Sequence, residues 1–336
     1  MPGRIRPTLS AMASADVVIS KPGGHIMATA GQRFPSPSHL AMVLAAKLLG
    51  RPVVVYAQTI GPFSSPLADW IARTVLGRTD LITARDPQTA AWLGKARPEG
   101  GRPRVELTAD EAFLIEPADD GPAGAWSAER RPRLAVTAIA WRFPGSPDPA
   151  ADRAAYEAAL AGAARWFIDE LGGEVRLVRW LAGDHREDDE AVLQRLTAAI
   201  DRPGRAATIG PYHPGSAVAV LGAGDLVVAT RMHSAILAMA GGTPVVAIGY
   251  LPKTEAVMSL AGLAEHSIPI RDASAERLVG QINAKWQVRQ DARADVETTV
   301  AQLRSRAQLN AALVRGLVVA TRRAGRAVPS GHRATR

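Results

Sequence analysis

The stretch DLVVATRMHSAILAMAGGTPVVAIGY, residues 225–250, decides the fold. An apolar run over 225–230 ends on Arg231 and His233. Small residues of helical texture follow over 233–240, a Gly-Gly-Thr-Pro turn breaks them, and a second apolar run fills 244–250. Runs this short and this uniformly apolar, without alternation, are strands covered on both faces. Two such strands joined by a helix form a βαβ unit and so a parallel sheet. Arg-x-His then stands at the carboxyl end of a buried strand, where open α/β sheets bind their ligands.

The same alternation extends in both directions. Upstream, strands read over 134–140, 174–180 and 206–210, with helices over 151–171, 187–200 and 215–222. Further upstream, strands read over 16–20, 52–57, 80–84 and 104–107, with helices over 38–49, 66–76 and 87–93. Between the two series lies EPADDGPAGAWSAERRPR (116–133), rich in Pro, Gly, Ala and charge, which reads as a linker. Downstream, helices read over 253–262 and 273–320, broken near Gln290, and 321–336 reads as a disordered basic tail. The expectation is two α/β domains, 1–120 and 131–320, with the carboxyl edges of their sheets facing across a cleft.

Composition narrows the function. The chain has 336 residues and a formal charge of +8. Eight of its 40 basic residues are arginines after Glu297, the last acidic residue; the other 32 balance the 32 acidic ones. The body is therefore neutral, no nucleic acid partner is expected, and the basic C-terminus reads as a solvated segment with at most weak contact to an anionic membrane surface. The stretch 309–323 reads as a helix packing back on the domains, with membrane contact the lesser reading. There is no cysteine, which excludes disulfides, thiolate metal sites and cysteine nucleophiles and fits a cytoplasmic location, peripheral to the inner membrane face at most. The N-terminus has no continuous apolar core and makes a poor signal peptide. No run of about 18 apolar residues is present to span a membrane.

Four side chains at strand exits of the second half carry charge. Arg231 and the following helix N-terminus suit a phosphate or carboxylate, and His233 beside a bound anion suits a general acid. Lys253, after GYLP, and Arg142, in AWRFPGS, leave neighbouring strands at the same edge. The alternative for each is structural: a salt bridge, a helix cap or a solvated lysine. In the first half, Gly23 and Gly24 in SKPGGHI permit close backbone approach. Gln58 and Thr59 in AQTIGPF offer groups suited to sugar hydroxyls at a strand exit. Arg85 in TARDPQT stands at the next exit; Asp86 beside it reads as a cap for the helix begun by Pro87. Asp110 closes the last strand. His25, His39, His185, His213 and His266 show no metal-ligand spacing, and the acid-rich GDHREDDE (183–190) reads as a solvated helix start. No metal site is expected.

Taken in order, DVVISKPGGHI, PVVVYAQTIGPF, LITARDPQTAAWL, LTADEAFLI, LAVTAIAWR and the opening stretch with Lys253 resemble the polysaccharide pyruvyl transferase family over residues 16 to about 270. The Arg-x-His stretch followed by Gly-x-Pro-x-x-x-x-x-Tyr is the specific part. The resemblance implies a GT-B-like fold of two facing Rossmann-like domains. It implies transfer of pyruvate from phosphoenolpyruvate to a sugar of a glycan or lipid-linked precursor, forming a ketal, with no cofactor beyond that donor. It places catalysis on His233 and donor binding on Arg231 and Arg142, and Lys253 joins that cluster. Gly23, Gly24, Gln58, Thr59 and Arg85 fall on the acceptor side. Members usually begin earlier, with a strand and a glycine-rich Asn-x-Gly-Asp turn, so the first domain is expected to be shortened and its sheet edge unprotected. Lys21-Pro22 stands where small residues are usual. Two other readings stay open: a GT-B-type glycosyltransferase using a nucleotide sugar, and a truncated, non-catalytic relative that binds a glycan or anion.

Overall fold

A computed structural model describes residues 2–27, 37–63, 65–94, 103–118, 124–180 and 189–326. The chain divides into two compact units, Met1–Asp110 with Ser305–Arg336, and Glu111–Arg304.

The first unit opens with a helix, α1 (Pro2–Ser14), not anticipated from sequence. Its sheet contains β1 (Val18–Ser20), β2 (Gly23–Ile26), β3 (Val53–Ile60), β4 (Leu81–Ala84) and β5 (Arg104–Leu107), in the order β1-β3-β4-β5, all parallel. β1 and β2 both pair with β3, at Val53–Val55 and again at Gln58 and Ile60, so they are one edge strand interrupted at Lys21-Pro22. Proline has no N–H to give the ladder, which is why it stands at an edge. Ile19 on that edge is half exposed. Helices α2 (Pro37–Leu48), α3 (Pro66–Leu76) and α4 (Pro87–Gly94) supply the crossovers. Leu40, Val43, Ala72 and Leu76 close the core over Val53, Val55 and Ile82.

The second unit is a six-stranded parallel sheet of β6 (Arg133–Thr137), β7 (Glu174–Val178), β8 (Ala206–Ile209), β9 (Leu226–Ala229), β10 (Val245–Gly249) and β11 (Ser267–Pro269). The order is β11-β10-β9-β6-β7-β8. In the unit's own numbering this is 3-2-1-4-5-6 read from β8, the doubly wound Rossmann order. The order reverses between β6 and β9, and that switch point is where such sheets open a crevice. Helices α5 (Pro149–Leu171), α6 (Glu190–Ile200), α7 (Pro214–Gly222), α8 (Met232–Ala240), α9 (Pro252–Leu260) and α10 (Ala275–Gln287) connect the strands and close the unit. Phe167, Tyr156 and Leu160 of α5 pack with Leu278 and Ile282 of α10 in the same core as Leu134 and Leu177 of the sheet.

Three sequence expectations change. The expected linker is not a plain spacer: Trp126 is buried, its indole N–H donates to the Val220 carbonyl at 3.2 Å, and the second unit begins at Glu111. β11 was not expected. The last helix, α11 (Arg289–Arg326), starts one residue before the expected break at Gln290 and continues six residues into the stretch read as disordered; 327–336 lie outside the described residues. Its buried positions Val296, Val300, Leu303, Ala307 and Asn310 recur at helical spacing. Asn310 accepts from the Thr108 hydroxyl at 2.8 Å and donates to the Ala109 carbonyl at 3.0 Å, so the later part of the helix packs within the first unit. Among the described residues no helix is long and apolar enough to cross a membrane.

Candidate active site

β10, β9 and β6 are adjacent in the second sheet, so the residues that leave their carboxyl ends share one edge. From β9 come Thr230, Arg231 and His233; from β6 come Trp141 and Arg142; from β10 come Tyr250 and Lys253. The rings of Trp141 and Tyr250, from the two strands flanking β9, meet at 4.7 Å, and the Lys253 ammonium lies 6.0 Å from the Tyr250 ring centre. Arg142 and His233 are exposed, Lys253 is half-buried and Arg231 is buried. α8 and α9 both begin at this edge, and neither has a side-chain N-cap. Their first-turn N–H groups are the donors such an edge presents to an anion.

Arg231 does not stand alone. Its Nη2 donates to Asp189 Oδ1 at 2.6 Å, and the other oxygen of that carboxylate accepts from the Trp180 N–H at 3.2 Å. Asp189 is 0% exposed. This corrects one sequence expectation: the last aspartate of GDHREDDE is a buried counter-ion, not part of a solvated helix start. Residues 181–188 of that stretch lie outside the described residues.

Behind the edge runs a buried network of hydroxyls. Tyr156 Oη accepts from the Ile139 N–H at 3.2 Å and pairs with Thr230 Oγ1 at 2.9 Å. Thr137 Oγ1 accepts from the Thr230 N–H at 3.2 Å and pairs with Ser234 Oγ at 2.7 Å, and Ser234 Oγ donates to the Arg231 carbonyl at 2.6 Å. The chain of bonds ties the exits of β6 and β9 to the first turn of α8, where His233 sits. Burial drives the Tyr156 phenol well above its usual range, so it serves as a neutral hydroxyl. At its far end α8 meets α7 at Gly222 and Gly241; a Cβ on Gly241 would lie 2.7 Å from the Gly222 Cα, so only glycine lets the two backbones approach this closely. Arg304 Nη2 donates to the Ala240 carbonyl there at 3.4 Å, a cation at a helix C-terminus. The sequence reading missed Tyr156, Trp141 and this hydroxyl set. The available signal was a threonine at or just beyond the end of each of two otherwise apolar strands.

In the first unit the structure brings all five expected acceptor residues together. Gly23 and Gln58 are ladder partners, the Arg85 Nε donates to Thr59 Oγ1 at 2.9 Å, and a Cβ on Gly24 would lie 3.8 Å from Arg85 Nη2. Their exposure differs from expectation. β3 runs on to Ile60, with its register shifting between Val55 and Gln58 and Ala57 at φ 42°, so Gln58 and Thr59 lie inside the strand rather than at its exit. Gln58 is 0% exposed, and its amide nitrogen donates to the Lys21 carbonyl at 2.5 Å and to Ser20 Oγ at 3.3 Å. It thereby bridges the interruption between β1 and β2. Arg85 is buried against Asp110 at 2.5 Å. Gly23 and Gly24 are half-buried, and Gly23 has φ 142°, a conformation open to glycine. Asp86 caps α4 through the Thr89 N–H at 2.8 Å, as the structural reading held.

The comparisons bear on the fold and the family. The chain is similar to the amylovoran biosynthesis protein AmsJ of Erwinia amylovora, 26% identical over 251 residues, 71% of this chain. It spans 59% of that protein's length. Among solved structures it is similar to HepE of Anabaena, solved with UDP (TM-score 0.58, 15% identity, 94% of this chain and 82% of that one). It is also similar to sucrose-phosphate synthase of Thermosynechococcus elongatus (0.58, 16%, 95% and 78%). A putative UDP-N-acetylglucosamine 2-epimerase of Listeria monocytogenes gives 0.57 at 12% identity, over 90% and 76% of the two chains. These likenesses establish a GT-B-like fold of Rossmann-like units. The polysaccharide pyruvyl transferase family model matches residues 4–252, from the first helix to the start of α9, and the chain belongs to that family.

Proposed function

We propose that this chain transfers pyruvate from phosphoenolpyruvate to a pair of hydroxyls on a sugar of a polysaccharide or glycan precursor, closing a ketal ring and releasing phosphate. The observation that carries the reading is the gathering of Arg142, Arg231, His233 and Lys253 at one edge of a Rossmann sheet, at its switch point, in a member of this family. Phosphoenolpyruvate is small and bears both a carboxylate and a phosphate. Arg231, Arg142, Lys253 and the N–H groups of α8 and α9 match that charge.

The chemistry follows from one acid. His233, its imidazolium favoured by the donor's negative charge, gives a proton to the enol methylene and leaves C2 electrophilic. A sugar hydroxyl forms a bond to C2, and its proton returns to His233. The second hydroxyl then bonds to C2 as the C2–O bond to phosphate breaks, and its proton leaves with the phosphate. The cations stabilise charge on the departing group. Gly23 and Gly24 present backbone to the acceptor, on a frame held by Gln58, Thr59 and Arg85. The part AmsJ is named for, biosynthesis of a polysaccharide, supports an acceptor of that class. HepE's UDP favours one rival, a nucleotide-sugar glycosyltransferase.

Phosphate release from phosphoenolpyruvate in the presence of glycan acceptors tests the reading, with the acceptor product followed by mass. The expectation is release that His233→Ala abolishes with its fold unchanged. Wild-type-like turnover in that variant removes His233 as the acid. Binding of UDP without binding of phosphoenolpyruvate supports the glycosyltransferase instead.

A further inference from the structure

Beside the charged edge lies a cavity of about 170 Å³, lined by Val178 and Trp180 after β7, Tyr212, Pro214 and Ala217 at the start of α7, and Leu237 of α8. A dry cavity of about 150 Å³ is known to hold one benzene ring, so this one fits a single six-membered ring and little more. It adjoins the site already described in two ways. Leu237 follows His233 by four residues on the same helix, which places them on one face a turn apart. The Trp180 N–H donates to Asp189, the residue that holds Arg231.

The lining selects the ligand. Two aromatic rings and four aliphatic side chains suit the C–H face of a sugar. Arg179 also lines the cavity, but its Nη2 pairs with Glu190 at 2.8 Å. That pairing makes the cavity a poor second anion site. We infer that it is a subsite for one pyranose ring of the glycan acceptor, next to the ring that receives pyruvate. The inference rests on the transferase reading and adds to it: the second unit contributes to acceptor recognition through Trp180, Tyr212 and Leu237, in addition to the first-unit residues.

Saturation-transfer NMR with methyl pyranosides of glucose, galactose, mannose and N-acetylglucosamine, and with uridine, tests it. The proteins are the wild type, Ala217→Leu, which fills the cavity, and Tyr212→Leu, which strips a ring from its wall; circular dichroism checks each fold. The expected result is signal from at least one pyranoside, cut at least about five-fold in both variants, with phosphoenolpyruvate affinity by calorimetry changed less than two-fold. No pyranoside signal, a signal indifferent to both substitutions, or binding of uridine alone overturns the subsite. Failure of the wild type to bind phosphoenolpyruvate sinks the transferase reading instead, and calorimetry reports it separately.

Discussion

Removing the carboxylate of Asp189 is the sharpest perturbation available. Asp189 is 0% exposed and Arg231 6% exposed, and they meet at 2.6 Å. Asp189→Ala takes the carboxylate at 2.6 Å away from a buried guanidinium and the acceptor away from the Trp180 N–H. Breaking a buried pair from one side costs about 3–5 kcal/mol. For a unit the length of Glu111–Arg304, each kcal/mol moves Tm by about 2–4 °C. The second unit should therefore melt about 6–20 °C lower. Arg231→Met takes the guanidinium away from the buried carboxylate and should cost a similar amount. The double variant Asp189→Asn/Arg231→Met removes both charges, keeps an acceptor for Trp180, and should return to within about 1 kcal/mol of the wild type, as uncharged replacements of buried pairs do. Its fold regained, it should still bind phosphoenolpyruvate about 10- to 140-fold more weakly, the loss of one charge-assisted hydrogen bond. Scanning calorimetry reads the melts, hydrogen exchange assigns each transition to its unit, and titration calorimetry reads the donor. A drop under about 3 °C in Asp189→Ala, or a double variant as unstable as the singles, refutes the buried-pair argument. Full donor affinity in the double variant refutes the role of Arg231.

Three further outcomes are expected. Tyr156→Phe strands the buried Ile139 N–H and the Thr230 hydroxyl, and should lower stability by about 1–3 kcal/mol in urea unfolding; no loss means the hydroxyl network does not hold the strand exits. Asn310→Ala orphans the Ala109 carbonyl and leaves the Thr108 hydroxyl only the Ala84 carbonyl, and should raise tryptic cleavage after Arg315 about 5- to 150-fold; unchanged cleavage means the helix is held elsewhere. Burial, and then the Lys21 charge, hold the His39 imidazolium below its usual range. The unfolded chain thus takes up that proton first, near pH 6.5, so this contribution to stability is full above that pH and declines as pH falls below it. Urea midpoints at pH 7.5 and 5.5 should show that decline, smaller in His39→Phe; an identical decline in the variant assigns it to another group.

The architecture was legible because parallel strands carry their own signature. VVVYA, LVVA and VVAIG are apolar throughout, and the intervening helices set the crossovers. Arg231 and His233 were legible for the same reason: once the strand is placed, its exit is placed. What escaped is long-range. Asp189 lies 42 residues before Arg231, and nothing in an acid-rich run marks which carboxylate turns inward. Gln58 escaped through the distortion at Ala57, which lengthens β3 without leaving a mark in an apolar run. Trp126 was overlooked because Pro, Gly and charge dominate its surroundings, yet its indole, with the Ala125 carbonyl and the Ser127 N–H, ties that segment to the second unit.

The division between charged and uncharged groups at the second sheet has a physical logic. On the proposed mechanism α8 must be held firmly, because His233 stands in its first turn and an error of position there would be an error in proton transfer. Carboxylates would hold it, but each would offset the positive charge of the edge. Thr137, Thr230, Ser234 and Tyr156 secure the same geometry with neutral hydrogen bonds, every one of them buried. The buried counter-charge Asp189 is matched to Arg231, the arginine whose guanidinium is itself buried and could not be left alone there. Arg142, at the neighbouring strand exit, is exposed to solvent. An anchor of hydroxyls behind a rim of cations fixes the histidine while leaving the edge attractive to an anion.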